Sequence, residues 1–475
     1  MTDQSNQILA KRGKSWKRWA IFTAFLCVYV WAYTYLATIL IVGANTSRVG
    51  NAQSHYIDAV YQAAAVNEGD PAERNSITSR FTRSLPQYTD GLVDPMWPWL
   101  MRGYADLSPD ELFDRGKWVN MILNGSLLVL FGLVAARAFS FTGSAAMILM
   151  GGFGVILERS AYFSPDALYY LLVVLAWMCA LSMIRQNLLW LYGVFGMLLG
   201  FAYLAKPMVW PIAAGFIVVS IVRSICGSGG ARKNGEGDDL WVSANQLVGI
   251  AMMVTAFLLV AGPRMSYSNT RFGDPFHSYQ KYIVWLDSPA EATRFQQTYQ
   301  SRVEFDGLKF KERPGVVKFI NEKGLGALFE RGWRGGLYQL KSSVLGRGGW
   351  ILLYGLFVFG VVASIHRWAM WKQKQEVWRV RGTSARWMLL FMIVVLGITL
   401  FYSGIGNVVV PNNSMTISLF LPVLLTFIWI AERYRRQLLR SNYARIVNWV
   451  YCTLMVLPII WISLRIVQAI QAPLP

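Results

Sequence analysis

Apolar residues along this chain gather into eleven runs, at about residues 19–43, 118–136, 143–158, 167–184, 188–205, 207–223, 245–262, 349–366, 387–403, 414–431 and 446–468. Most of them are close to the ~20 residues that an α-helix needs to cross a bilayer. A soluble core would break such stretches with polar faces at helix or strand period. The pattern predicts an all-α polytopic membrane protein with about eleven transmembrane helices.

The polar segments between the runs set a direction. Lys11, Arg12, Lys14, Lys17 and Arg18 precede the first run, and Lys and Arg concentrate on the cytoplasmic side of membrane proteins. With eleven crossings and the N-terminus inside, three further basic loops fall on that same side. They carry Arg223, Arg232 and Lys233; then Lys372, Lys374, Arg379 and Arg381; then Arg435, Arg436 and Arg440. The reading is a multi-pass protein of the cell membrane. Residues 1–18 form a cytoplasmic N-terminus, 19–43 a first anchor and 44–117 a large extracytoplasmic loop. Helices two to seven occupy 118–262, and a second large extracytoplasmic loop occupies 263–348. Helices eight to eleven occupy 349–468, with a tail at 469–475. The first run is too long for the apolar region of a cleaved signal peptide.

Within the loops, Tyr56–Val66 has the pattern of a short amphipathic helix. Asp94-Pro-Met-Trp-Pro-Trp-Leu100 reads as a rigid aromatic turn suited to the membrane interface. Asp274-Pro275 marks a turn. The second loop is long enough for a few helices. Residues 227–237, rich in glycine, read as a flexible connector.

Composition then narrows the class. The chain has 475 residues, 55% of them hydrophobic and 15% charged, with a net charge of +19. That excess sits in short loops beside apolar runs, so it reads as a topology signal and not as a nucleic-acid interface. Cys27, Cys179 and Cys452 lie in apolar runs and Cys226 in a basic loop. No metal-binding spacing or disulfide framework appears. The three histidines, His55, His277 and His366, are scattered.

Ionisable groups at the predicted outer ends of helices are the candidates for chemistry, because charge at membrane depth is expensive and usually functional. Glu158, Arg159 and Asp166 flank the turn between the third and fourth runs, where Pro165-Asp166 also suits a helix start. Lys206-Pro207 joins the fifth and sixth runs, where a lysine also suits simple snorkelling. Arg264 follows Gly262-Pro263 at the end of the seventh. After the first run, His55 and Asp58 are three residues apart on one helix face, a spacing that fits a carboxylate and an imidazole acting together. Tyr56 lies between them.

Three short patterns, in this order and all on one predicted side, carry a resemblance. They are Pro95-Met-Trp97-Pro98-Trp99-Leu100 before the second run, Ser164-Pro-Asp-Ala-Leu168 opening the fourth, and Gly200-Phe-Ala-Tyr-Leu-Ala-Lys206-Pro207. Gly273-Asp-Pro-Phe276 follows the seventh. The chain resembles the GT-C fold membrane glycosyltransferases, a class that includes polyprenyl-phosphate-sugar-dependent protein mannosyltransferases and aminoarabinose transferases. The resemblance covers the chain to about Pro275, and the rest more loosely. It implies a GT-C-type helix bundle and transfer of a sugar from a polyprenyl-phosphate donor to an extracytoplasmic acceptor: a glycan, lipid or protein. It implies a catalytic carboxylate in the first outer loop, for which Asp58 and Asp94 are at hand. It also implies cations for the donor phosphate, for which Lys206, Arg264 and Arg159 are at hand. Dependence on a divalent metal stays open. The bilayer is a partner in any case. Two other readings stay open: another envelope-glycan enzyme such as an O-antigen ligase or polymerase, and a transporter or flippase. The long loop directly after the first helix favours the first reading over the ligase. The lack of inverted repeats and of charge at mid-helix weighs against a transporter.

Overall fold

The computed structural model describes residues 2–43, 51–65, 93–185, 188–231, 238–298, 308, 312–345, 349–372, 383–407, 414–439 and 442–471. Among these residues the regular elements are helices, and no strand occurs. Seventeen α-helices follow in chain order. They are α1 (Thr2–Gly43), α2 (Asn51–Ala65), α3 (Met96–Met101), α4 (Pro109–Ala138), α5 (Phe141–Gly151) and α6 (Asp166–Arg185), then α7 (Leu189–Ala205), α8 (Trp210–Ala231) and α9 (Asp238–Phe272). The second loop holds α10 (Tyr279–Ile283), α11 (Pro289–Thr298) and α12 (Val316–Leu345). The chain ends with α13 (Gly349–Lys372), α14 (Thr383–Asn407), α15 (Ser414–Ser418), α16 (Phe420–Leu438) and α17 (Ala444–Gln471).

Nine stretches among the described residues are long and apolar enough to cross a membrane, and each coincides with one of the eleven runs. The other two runs are the shorter apolar helices Phe141–Ile156 and Leu189–Ala205. The protein is thus an all-α polytopic membrane protein. Arg232, Lys233, Lys374, Arg379, Arg381 and Arg440 lie outside the described residues, as does most of the glycine-rich connector.

Local chemistry explains where helices begin beyond the apolar runs. Helix α4 starts well before Trp118 because Ser108 caps it. The Ser108 amide donates to Glu111 Oε2 at 3.0 Å, the Glu111 amide donates back to Ser108 Oγ at 3.4 Å, and Pro109 takes the first turn. Lys117, immediately before the apolar part, is buried and paired with Asp114 at 2.9 Å. Helix α9 does not leave its path at Gly262. It continues through Pro263 to Phe272 and ends at Gly273, which takes a left-handed conformation at φ +67°. Proline inside a membrane helix is tolerated where neighbours and local adjustment satisfy the freed backbone groups. The turn expected at Asp274-Pro275 follows directly.

The core is set by burial. Within the most apolar stretches, 72% of residues are buried for Asp166–Arg185 and 83% for Thr416–Leu438, against 28% for Gln246–Phe272 and 22% for Ala444–Gln471. Helices α6 and α16 are therefore central, with α9 and α17 at the rim. The indole of Trp177 on α6 donates to Thr426 Oγ1 on α16 at 3.0 Å, which satisfies both polar groups inside the bundle. Away from Asp166, Glu432 of α16 is 1% exposed and accepts from Arg435 at 2.6 Å and Arg436 at 3.1 Å. These two arginines, read from sequence as topology signals, also neutralise a buried acid. Arg436 donates in addition to the Ala138 carbonyl at 2.6 Å, tying α16 to α4.

Helices α7 and α9 pack closely, and the sequence shows why. Gly196 and Gly200 form a G-x-x-x-G face on α7. A Cβ at Gly196 would collide with the Met253 carbonyl, and one at Gly200 would lie 2.8 Å from Val260 Cβ. Small residues there let the two backbones approach, which brings the end of α7 at Lys206 close to Arg264 on α9. Helix α12, in the second loop, uses the same device. Gly335 lies against the backbone of Gly404 on α14.

Candidate functional site

Chain alternation brings the candidate residues to one end of the bundle. The start of α4, the end of α5, the start of α6, the end of α7 and the end of α9 share that end by connectivity. The described parts of the first loop, α2 and the stretch from Val93, pack at that end. Helix α2 buries Tyr56, Ala59 and Val60 against Val93, Trp97, Met101 and Phe113. The aromatic-proline stretch is a short helix rather than a turn lying at the interface. Its Trp97 is fully buried, edge-on to Phe163 at 5.7 Å. Pro95 and Pro98 fit the first turn of such a helix because their φ is already helical. This packing fixes Asp94, which precedes the N-cap Pro95 of α3, in the neighbourhood of Tyr56 on α2.

Asp166 and Lys206 form an ion pair, with the two side chains 10% and 14% exposed. Ser164 Oγ donates to the other Asp166 oxygen at 3.0 Å. The Arg159 guanidinium lies over the Tyr162 ring at 5.7 Å and is electrostatically coupled to Asp166. Lys206 is extended, at φ −156°, where α7 ends, and its amide closes the last turn on Ala202 at 2.8 Å. Arg264 is 5% exposed and sits over the Tyr267 ring at 5.6 Å.

Asp94 faces this group. Burial pushes its carboxyl up to about 7, against the downward pull of Lys206 and Arg264. The Tyr56 phenol is held well above its usual range by burial, then by the charges of Asp94 and Asp166. Tyr56, Asp94, Asp166, Lys206, Arg264 and Arg159 thus share one electrostatic neighbourhood. An aromatic cluster borders it. Tyr203 packs edge-to-face against Trp210 at 5.8 Å, Phe257 at 5.8 Å and Phe276 at 6.3 Å.

Asp58 and His55 are placed differently. Both are exposed, on the face of α2 turned away from the buried Tyr56. The field of Asp58 falls on Tyr61, not on the Asp94 group. The Glu158 side chain lies outside the described set. Among the described residues no group of three His, Cys, Asp or Glu is arranged to hold a metal ion.

Asn120 and Asn124, not singled out from sequence, are fully buried on α4. The Asn120 amide donates to the Tyr162 carbonyl and, at 2.9 Å, to the Ser164 carbonyl. Asn124 donates to Ser160 Oγ at 3.3 Å, and Ser160 also meets the Tyr33 hydroxyl. These bonds hold the turn that presents Arg159, Ser164 and Asp166. Two asparagines four apart inside an apolar run were the available signal, since polar side chains at membrane depth are rarely idle.

Next to this group, the second loop is pinned by Asp274. It accepts from Lys281 at 2.6 Å, Tyr282 at 2.8 Å and the Phe276 amide at 3.0 Å. Burial raises its carboxyl, but these bonds outweigh burial and leave it below the usual range. His277 stacks on Phe272 at 3.9 Å, and burial, with Arg313 beside it, pushes its imidazole down to about 3. It is neutral at physiological pH.

No protein-family model matches the chain, and neither a curated protein nor a solved structure matches it.

Proposed function

We propose that the chain is a GT-C-type membrane glycosyltransferase that transfers a sugar from a polyprenyl-phosphate donor to an extracytoplasmic acceptor. In this reading the chain crosses the cell membrane eleven times with its N-terminus in the cytoplasm, and the Asp94 end of the bundle faces outward. The observation that carries the reading is the Asp94 carboxylate set against the buried Arg264 guanidinium and the Asp166–Lys206 ion pair at one helix-bundle end.

The chemistry follows from charge. The acceptor hydroxyl loses its proton to the Asp94 carboxylate, and its oxygen attacks the sugar's anomeric carbon. The bond from that carbon to the phosphate oxygen breaks, and the lipid phosphate leaves with the bonding pair. Lys206, Arg264 and Arg159 stabilise the charge that builds on it, in a site where low dielectric strengthens each contact. Asp166 holds the Lys206 ammonium in place. The Tyr203–Trp210–Phe276 cluster offers an apolar wall for the first isoprene units or a sugar face.

The reading is tested with Lys206→Ala in an assay using a polyprenyl-phosphate sugar. The expected result is loss of transfer with normal expression and membrane insertion. Wild-type turnover by that variant refutes the role given to Lys206.

A further inference from the structure

Tyr170 carries a buried polar group that the fold does not use. It lies on α6, one turn after Asp166 and therefore on the same helix face. The residue is 3% exposed, and its hydroxyl has no hydrogen-bond partner among the described residues. Asp166 does not satisfy it: its oxygens meet Lys206 and Ser164, and neither bonds the Tyr170 hydroxyl. Leaving a buried hydroxyl unsatisfied is costly, so such groups are rare unless something else supplies the partner. Phenylalanine would fill the same space without that penalty. Electrostatically, Tyr170 is coupled to Asp166 and Arg159, the two groups of the turn that faces Lys206.

We propose that the Tyr170 hydroxyl is a ligand for a phosphate monoester, donating a hydrogen bond to a phosphate oxygen held between Arg159 and Lys206. A phosphate dianion supplies acceptor oxygens without bringing a competing donor. A hydroxyl bond to a charged acceptor is roughly twice as strong as a neutral one. The inference rests on the glycosyltransferase reading for the lipid that carries the phosphate. The hydroxyl itself would serve a phosphate from either source, a polyprenyl phosphate or the free anion.

The test uses the purified full chain in nanodiscs of zwitterionic lipid, with undecaprenyl phosphate and inorganic phosphate as separate probes. Tyr170→Phe keeps the ring and removes only the hydroxyl. The expected result is an affinity for undecaprenyl phosphate about tenfold weaker than wild type. The unliganded melting temperature of Tyr170→Phe should equal or exceed that of wild type, because the hydroxyl has no partner to lose. Affinity within twofold of wild type overturns the proposal, as does a clear fall in the unliganded melting temperature, which would mark the hydroxyl as structural. If Tyr170→Phe weakens inorganic phosphate but not the lipid, the hydroxyl serves a free anion and its place on the released lipid phosphate is overturned. If wild type itself binds no undecaprenyl phosphate, the glycosyltransferase reading fails first and this inference with it.

Discussion

Asp94 is where structure and chemistry make the sharpest joint demand. Its carboxyl is raised to about 7, so it titrates across the range in which the enzyme would work. A base acts only when deprotonated. With a pKa of about 7, roughly a tenth of the molecules carry the active form at pH 6 and roughly nine-tenths at pH 8. Transfer should therefore rise about tenfold between those values and level off above them. An ordinary aspartate, with a pKa of about 3.9, would be fully ionised throughout and give a flat profile. Lys206 and Arg264 pull the Asp94 pKa down, so Lys206→Gln should shift the rising limb to higher pH in whatever activity remains. Asp94→Asn should lower transfer by about 10²–10⁴-fold and abolish the limb. The linked effect on stability has the opposite sign. The folded pKa lies above the unfolded one, so the contribution of Asp94 is full below about pH 4 and is lost as pH rises through 7. Initial rates of sugar transfer in proteoliposomes from pH 5.5 to 8.5 measure the first effect, and thermal melts over the same range measure the second. A flat wild-type rate profile, or wild-type turnover by Asp94→Asn, would refute the assignment.

Three further outcomes follow from packing and polar networks. Gly200→Val should push α9 away from α7, because its Cβ meets Val260 at 2.8 Å, and should destabilise the fold by about 1–3 kcal/mol in a detergent melt; an unchanged melt counts against the close packing. Glu432→Gln should cost about 3 kcal/mol by leaving two arginines facing a neutral amide, and Glu432→Gln paired with Arg435→Met should recover part of it; additive losses would show the pair to be uncoupled. Asn120→Ala frees the turn at Tyr162 and Ser164, so donor affinity should fall while the bulk of the helical signal in circular dichroism stays; an unaltered affinity would show that the turn holds itself.

Much of the fold was open to reading because bilayer crossing leaves a coarse mark. Each of the eleven apolar runs corresponds to an apolar helix, and even the outer helix at Tyr56 was visible from its amphipathic spacing. The starts and ends were less visible. The capping box at Ser108 and the passage of α9 through Pro263 depend on individual side chains and on neighbours that relieve a proline. At the site, Asp166, Lys206 and Arg264 drew attention by charge at helix ends. Asp94 was a candidate by type, but its environment is built by residues from α7 and α9 more than a hundred positions away, and no local pattern encodes that. Asp58 attracted notice through its spacing with His55, and that spacing describes a helix face without saying which way the face turns. Asn120, Asn124 and Tyr170 sit inside apolar runs, where a single polar residue blends into the hydrophobic average.

The central claim is that this bundle end breaks a sugar–phosphate bond on a lipid carrier. The direct measurement is release of undecaprenyl phosphate from an undecaprenyl-phosphate-linked radiolabelled sugar by the purified, reconstituted protein, with a membrane extract supplying acceptors. Wild type should release the lipid phosphate and move the label to acceptor, while Asp94→Asn and Lys206→Ala should each leave the donor intact. Release no faster than in protein-free vesicles, or equal release by wild type and both variants, would contradict the account.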